Sequence, residues 1–114
     1  RFANNIGRLS DTKIEAVKLK ENERIPREFL EDEEFKQAEE LYKKIFFDNQ
    51  NDPSVSENRL NRMGYEFISR NLIQQAITVF KLNTEFYPNS SNCYDSYGEA
   101  LALDGRIEEA VNNY

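Results

Sequence analysis

Apolar residues recur at spacings of three and four along much of the chain, a pattern that predicts amphipathic helices. The clearest stripe runs over residues 32–48, and its members are Phe35, Ala38, Leu41, Tyr42, Ile45 and Phe46. We expect the acidic run at 31–34 to lie in the first turn of this helix, where it complements the helix dipole. A weaker stripe predicts a short helix over 10–23, after which Pro26 interrupts the helix or begins the next one. No run alternates strictly enough to predict a strand, so the pattern indicates an all-α fold.

Residues 57–114 repeat at a fixed offset of 34. The identical pairs are Gly64 with Gly98, Ala76 with Ala110, Ile73 with Ile107 and Asn58 with Asn92. Similar residues recur at the same offset in Phe80 with Tyr114, Phe67 with Leu101 and Ile77 with Val111. A period of this length is typical of a helical repeat array. We therefore predict two helix pairs, 55–70 with 73–87 and 91–104 with 107–114.

The repeat resembles the tetratricopeptide repeat (TPR), whose pattern is Trp-x2-Leu-Gly-x2-Tyr, then Ala-x3-Phe, then Pro. In the first unit the matching residues are Leu60, Met63, Gly64, Phe67, Ala76, Phe80 and Pro88. In the second they are Tyr94, Tyr97, Gly98, Leu101, Ala110 and Tyr114. The resemblance implies an α-α superhelix of antiparallel helix pairs. It places TPR 1 at 57–90 and TPR 2, truncated in its second helix, at 91–114, after an irregular helical N-terminal cap or degenerate repeat at 1–56.

The matching positions have expected packing roles. Gly64 and Gly98 have no Cβ atom, so we expect two helices to approach closely there, with Ala76 and Ala110 as the small residues opposite. Large side chains would fill the space between helix pairs, namely Phe67, Phe80, Leu101 and Tyr114. Each pair turns at a residue that tolerates left-handed backbone, Asn71 and Gly105.

A second resemblance covers about residues 54–114. Segments 60–65, 80–83, 87–92 and 94–100 are similar to the TPR tails of bacterial β-lactamase-related serine hydrolases and esterases. None of the catalytic motifs of those enzymes is present in this sequence. Both chain ends look like cuts, so we expect a fragment. The resemblance implies an accessory C-terminal domain whose catalytic partner domain, with its nucleophile, lies upstream of Arg1.

In a TPR array the first helix of each pair lines the concave face. The polar residues that this arrangement places there are Asn58, Asn61, Tyr65 and Ser69, followed by Asn92, Asp95 and Glu99. Asparagine side chains can bind a peptide backbone through paired donor and acceptor groups. These residues therefore form a candidate peptide groove, and the alternative is a solvated surface or one that faces a neighbouring domain. The clamp positions of chaperone-type TPR modules correspond to Asn61, Tyr65, Asn92 and Ser96, none of them cationic, so we expect no carboxylate clamp.

Composition narrows the function further. The chain has a net charge of −6 and no Lys/Arg-rich patch, which argues against nucleic acid binding, and no apolar run long enough to insert in a membrane. It has no histidine and a single cysteine, Cys93, which we expect to be structural. We therefore expect no cofactor, no metal site and no enzymatic activity, and a protein or peptide partner. The truncated final helix leaves Val111 and Tyr114 without a full packing partner, which predicts self-association or a frayed end. The compartment is cytoplasmic by default, or periplasmic or cell-envelope if the hydrolase resemblance holds.

Overall fold

The computed structural model describes residues 24–105, which fold into five α-helices and one 3-10 turn without a strand. The helices are α1 (Pro26–Glu31), α2 (Phe35–Asp48), α3 (Glu57–Ser69), α4 (Ile73–Phe86) and α5 (Ser91–Leu103), and the 3-10 turn is Pro53–Val55. Neighbouring helices pack antiparallel, and the predicted all-α class is confirmed. The predicted bounds of α3, α4 and α5 agree with the structure to within two residues. The helices predicted at 10–23 and from 107 onward lie outside the described residues.

The helix ends follow from local chemistry. Ser56 caps α3, because its hydroxyl accepts a hydrogen bond from the backbone N–H of Arg59 at 3.2 Å. The turn after α3 contains Asn71 at a φ of 60°, and Gly105 follows α5 at a φ of 84°. Both are left-handed conformations, as predicted. A positive φ ends a right-handed helix, and Asn and Gly adopt it with less strain than most residues.

The acidic run is not in the first turn of α2, as the sequence had led us to expect. The helix begins at Phe35, Glu31 is the last residue of α1, and residues 32–34 form the turn that joins α1 to α2. Arg24 explains the difference, because its guanidinium donates to Glu34 Oε2 at 3.0 Å and to the carboxylate of Asp32. Glu33 between them has a φ of 62°. A single cation therefore holds two of the four acids, Asp32 and Glu34, in this turn.

The core is organised around α4. Nine of its fourteen residues are buried, because α2, α3 and α5 all pack against it. A helix that is apolar on most sides belongs in the interior, and this sequence fits that position. Its buried polar residues contact neighbouring backbone: Gln75 donates to the carbonyl of Leu30 at 3.3 Å, and Asn83 to that of Glu57 at 3.1 Å.

The residues that match the repeat pattern occupy different depths. Seven of them are buried: Leu60, Gly64, Phe67, Ala76, Phe80, Gly98 and Leu101. Tyr94 is half-buried and Pro88 is exposed. Ala110 and Tyr114 lie outside the described residues, as does the expected self-association through that helix.

The close approach at Gly64 differs from the prediction in its partner. A Cβ atom built on Gly64 would lie 2.2 Å from Cε1 of Phe80, and the three nearest atoms all belong to that ring. The residue that occupies the space above the glycine is therefore Phe80 and not Ala76. A flat aromatic edge can lie against a bare backbone, so Phe80 reaches across the α3–α4 interface at this position.

Ion pairs hold α1 beside α3. Arg27 Nη2 lies 2.6 Å from Glu66 Oε2, and Arg70 Nη2 lies 3.1 Å from Glu31 Oε1. The hydrogen bond from Arg27 lowers the pKa of Glu66, and the one from Arg70 lowers the pKa of Glu31. Both pairs have a sequence separation of 39, so α1 runs parallel to α3.

Candidate functional site

The candidate groove lies on α3 and α5, the two helices that would be the first members of their pairs. On α3, Asn58, Asn61 and Tyr65 follow one another at spacings of three and four, which places them on one helix face. Six of the seven predicted residues are exposed, namely Asn58, Tyr65, Ser69, Asn92, Asp95 and Glu99, and Asn61 is half-buried. The predicted set is thus mostly accessible to a ligand.

A hydrogen-bond network joins α3 to α5 at the centre of this face. The hydroxyl of Tyr65 donates to Glu99 Oε1 at 2.8 Å, and Ser96 Oγ donates to Asn61 Oδ1 at 2.7 Å. The hydroxyls of Tyr65 and Ser96 lie 3.1 Å apart and link the two contacts. Tyr65 and Glu99 are 34 residues apart, so equivalent positions of the two helices meet.

Packing fixes the tyrosine in this network. The ring of Tyr65 meets that of Phe80 edge-on, with 5.1 Å between centroids and 63° between ring planes. Ser96 is 1% exposed, so its hydroxyl anchors the network from below the surface. From the sequence, Ser96 was considered only because it corresponds to a position of the carboxylate clamp and is not cationic. Its role was missed because nothing in a serine's sequence context reports its burial.

The outer members of the predicted set lie apart from this network. Ser69, at the end of α3, donates to the backbone carbonyl of Glu66 at 2.7 Å and so stabilises the helix end. Asn58 lies in the first turn of α3 and Asn92 in the first turn of α5. The structure therefore brings together Asn61, Tyr65 and Glu99, with two exposed asparagines near one end of the face.

The electrostatics of the face are acidic. Asp95 and Glu99 contribute carboxylates, and none of the seven predicted residues is cationic. Backbone-like amides and two carboxylates can accept hydrogen bonds from a peptide backbone and from basic side chains. The face therefore offers amide donors and acceptors beside two carboxylates.

Other kinds of site find little support in the part of the chain that the structure describes. No group of three His, Cys, Asp or Glu side chains within residues 24–105 is placed to hold a metal ion. Cys93 is buried, and burial raises the pKa of its thiol, which disfavours the reactive thiolate. Among the described helices, none is both long and apolar enough to span a bilayer.

Comparison of the sequence with known protein families and with curated proteins finds no match to either.

Proposed function

We propose that the chain is a non-catalytic protein-interaction module built of TPR-type helix pairs, and that the face formed by α3 and α5 binds an extended peptide. The observation that carries the proposal is the contact between Tyr65 and Glu99, which joins equivalent positions of successive first helices. In a TPR array such helices stand side by side and line one concave surface. The left-handed turn at Asn71 and the 34-residue period fit the same arrangement.

The chemistry of the face supports a peptide with basic character. Glu99 is held by Tyr65 while it remains exposed, so one of its oxygens can accept from a ligand. Asn58 and Asn92 offer amide groups that pair with a peptide backbone without selecting its side chains. Affinity would come from the backbone contacts, and preference for Lys or Arg from the two carboxylates.

Peptide selection on the immobilised domain tests this proposal. We expect a random peptide library to yield sequences rich in Lys or Arg that bind the purified chain with micromolar affinity by calorimetry. The double variant Asn58→Ala/Asn92→Ala should weaken binding at least tenfold, which corresponds to about 1.4 kcal/mol. A matched control, Lys81→Ala on the exposed side of α4, should leave affinity unchanged. The proposal fails if no peptide is enriched, or if the selected peptides bind all variants equally.

A second candidate is an accessory domain that packs on a bacterial serine hydrolase. It is supported by the sequence resemblance over 54–114 and by the side chain of Phe47, which is 87% exposed on α2. An aromatic residue so exposed fits a surface that a neighbouring domain covers. Sequence upstream of Arg1 distinguishes the two candidates, because a Ser-x-x-Lys or Gly-x-Ser-x-Gly motif there would favour the hydrolase.

A further inference from the structure

A second concave site lies on the opposite flank of α3. It is a pocket of about 490 Å³ between the start of α1, α2, the 3-10 turn and α3. Its apolar lining includes Pro26, Tyr42, Ile45 and Met63, and its rim carries Arg59 and Arg62. A volume of this size lies within the usual range of ligand sites. None of these residues belongs to the face assigned to the peptide groove.

Among the described residues, the short length of α1 leaves this pocket uncovered. Helices α3 and α5 have 13 residues each, whereas α1 has 6. The offset of 39 between α1 and α3 sets Pro26 level with Tyr65. No part of α1 therefore stands beside the first two turns of α3, and the side chains that project there, Arg59, Arg62 and Met63, line an opening.

The two rim arginines differ from the other arginines of the described region. Arg24, Arg27 and Arg70 each form an ion pair with at least one carboxylate. Within residues 24–105, Arg59 and Arg62 form none, although both are exposed in a chain with 21 acidic and 15 basic residues.

Nearby acids leave the charge of the rim largely uncompensated. Glu66, at the edge of the pocket, accepts hydrogen bonds from Nη1 and Nη2 of Arg27. Asp52 accepts hydrogen bonds from Ser54, which lower its pKa, and the charge of Arg59 acts in the same direction from a distance. Arg59 and Arg62 are three positions apart on one helix face, where like charges repel. A bound carboxylate would relieve that repulsion and could pair with either guanidinium in the bidentate manner.

We propose that this pocket binds an acidic segment of a partner protein, with an apolar side chain on the floor formed by Tyr42 and Met63 and a neighbouring carboxylate between Arg59 and Arg62. The floor is shaped for the apolar part, because the Tyr42 hydroxyl donates to Met63 Sδ at 3.4 Å and presents no free polar group. The peptide groove on the other flank of α3 selects for basic character. One helix thus carries two sites that prefer ligands of opposite charge.

Met63 gives a direct reporter, because it is the only methionine in the chain. In protein labelled with 13C at the methionine methyl group, a single NMR signal reports on the pocket floor. The probe is a pool of acetylated, amidated pentapeptides in which a central Leu, Ile, Met or Phe is flanked by Asp or Glu. We expect this pool to shift the signal in a saturable way. A pool with Asn and Gln in place of the acids should leave it at least tenfold less responsive.

Variants separate the pocket from general electrostatics. Arg59→Gln/Arg62→Gln should weaken binding of the acidic pool at least tenfold, with the far-UV circular dichroism unchanged. Lys36→Gln/Lys81→Gln removes the same charge from two exposed positions elsewhere and should have no effect. Asn58→Ala/Asn92→Ala should also leave the pocket's affinity unchanged, so failure here is distinguishable from failure of the peptide groove.

Several outcomes would overturn the proposal. Equal responses to the acidic and amide pools, or no response at millimolar peptide, would show that the pocket does not bind a peptide carboxylate. A response to octanoate but not to the peptides would make the ligand a small amphipathic acid. Stronger binding of a synthetic peptide of residues 10–23 than of any member of the pool would assign the pocket to a segment of the chain itself.

Discussion

Replacement of Gly64 by alanine tests the closest contact in the core. The new Cβ would lie 2.2, 2.4 and 2.7 Å from three atoms of the Phe80 ring, against the roughly 3.5–4.0 Å at which carbon atoms attract one another. Phe80 is completely buried, and its ring also packs against Tyr65. The ring therefore has no open space to move into, and α3 and α4 must separate.

Two opposing effects determine how much Gly64→Ala changes the free energy of unfolding. Overpacking a well-filled core costs about 1–3 kcal/mol, and this overlap is severe enough for the upper end. Alanine in place of glycine within a helix returns about 1 kcal/mol. We expect a net loss of about 2 kcal/mol in the free energy of unfolding, which for a domain of this size lowers the Tm by roughly 8–16 °C. Thermal and guanidinium unfolding followed by circular dichroism measure both quantities.

A double-mutant cycle with Phe80→Leu identifies the cause. Leucine lacks the Cε1 and Cζ atoms, which lie closest to the new methyl group, so Gly64→Ala should cost much less in that background. Asn58→Ala, exposed on the same helix, should change the free energy of unfolding by less than about 0.5 kcal/mol. If Gly64→Ala alone raises stability by about 1 kcal/mol, helix propensity governs the position and the close approach is refuted.

Three further predictions concern ionisation and packing. Burial raises the pKa of Tyr42 to about 12 from an ordinary 10.0, so the unfolded chain loses this proton at a lower pH than the folded chain. The free energy of unfolding should therefore fall between pH 10 and 12 by up to roughly 2.7 kcal/mol. Unfolding measured against pH in Tyr42→Phe should lack that part of the decline. Glu31 and Glu66 have lowered pKa values, so the stability they contribute is complete above about pH 4.5 and is lost as pH falls through their folded-state pKa values. In Glu31→Gln/Glu66→Gln the free energy of unfolding should fall less steeply at acid pH. An unchanged pH dependence would contradict this prediction. Phe46→Ala should lower the free energy of unfolding by about 2 kcal/mol, because the Phe46 ring stacks on that of Phe86 with 4.2 Å between centroids. Phe47→Ala is the control: its side chain is 87% exposed, so the change should stay within about 0.5 kcal/mol in the same denaturation assay.

The helices were predictable because local signals fix them. Apolar spacing and the turn residue Asn71 act within a few positions of the chain, and the predicted bounds of α3 agree with the structure to within two residues. The same holds for α5, which ends shortly before Gly105. Where the determinants are local, a single sequence contains them.

The errors arose where a distant side chain decides the outcome. The acidic run is an acceptable first turn by its own chemistry, but Glu31 ends α1 and Arg24 holds the carboxylates of Asp32 and Glu34 in the turn that follows. Gly64 predicts a close approach of two helices but not the residue that makes the contact. Which residue of α4 fills the space depends on how α3 and α4 are offset along their axes. Pro26 was open to two interpretations, and only the structure shows that it begins a helix too short to cover α3.

The candidate groove was predictable in outline for the same reason. Helical spacing alone puts Asn61 and Tyr65 on one face, but the link to Glu99 requires two helices to stand side by side. The buried hydroxyl of Ser96 and the pocket beside Arg62 depend on what surrounds them in space. Sequence patterns indicate which residues share a helix face, but they do not indicate which other parts of the structure contact that face.

The central position of α4 has a consequence for the order in which the chain folds. Most contacts join helices adjacent in sequence, which favours rapid folding, but α2 reaches α4 across the whole of α3. The contact between α2 and α4 closes a longer loop than the contacts between adjacent helices and gains from a preformed α3–α4 hairpin. Substitutions at Val79 or Leu82 should therefore slow folding, whereas those at α1 and α2 should mainly speed unfolding. The N-terminal helices would then be the last part of the described domain to form and the first to detach.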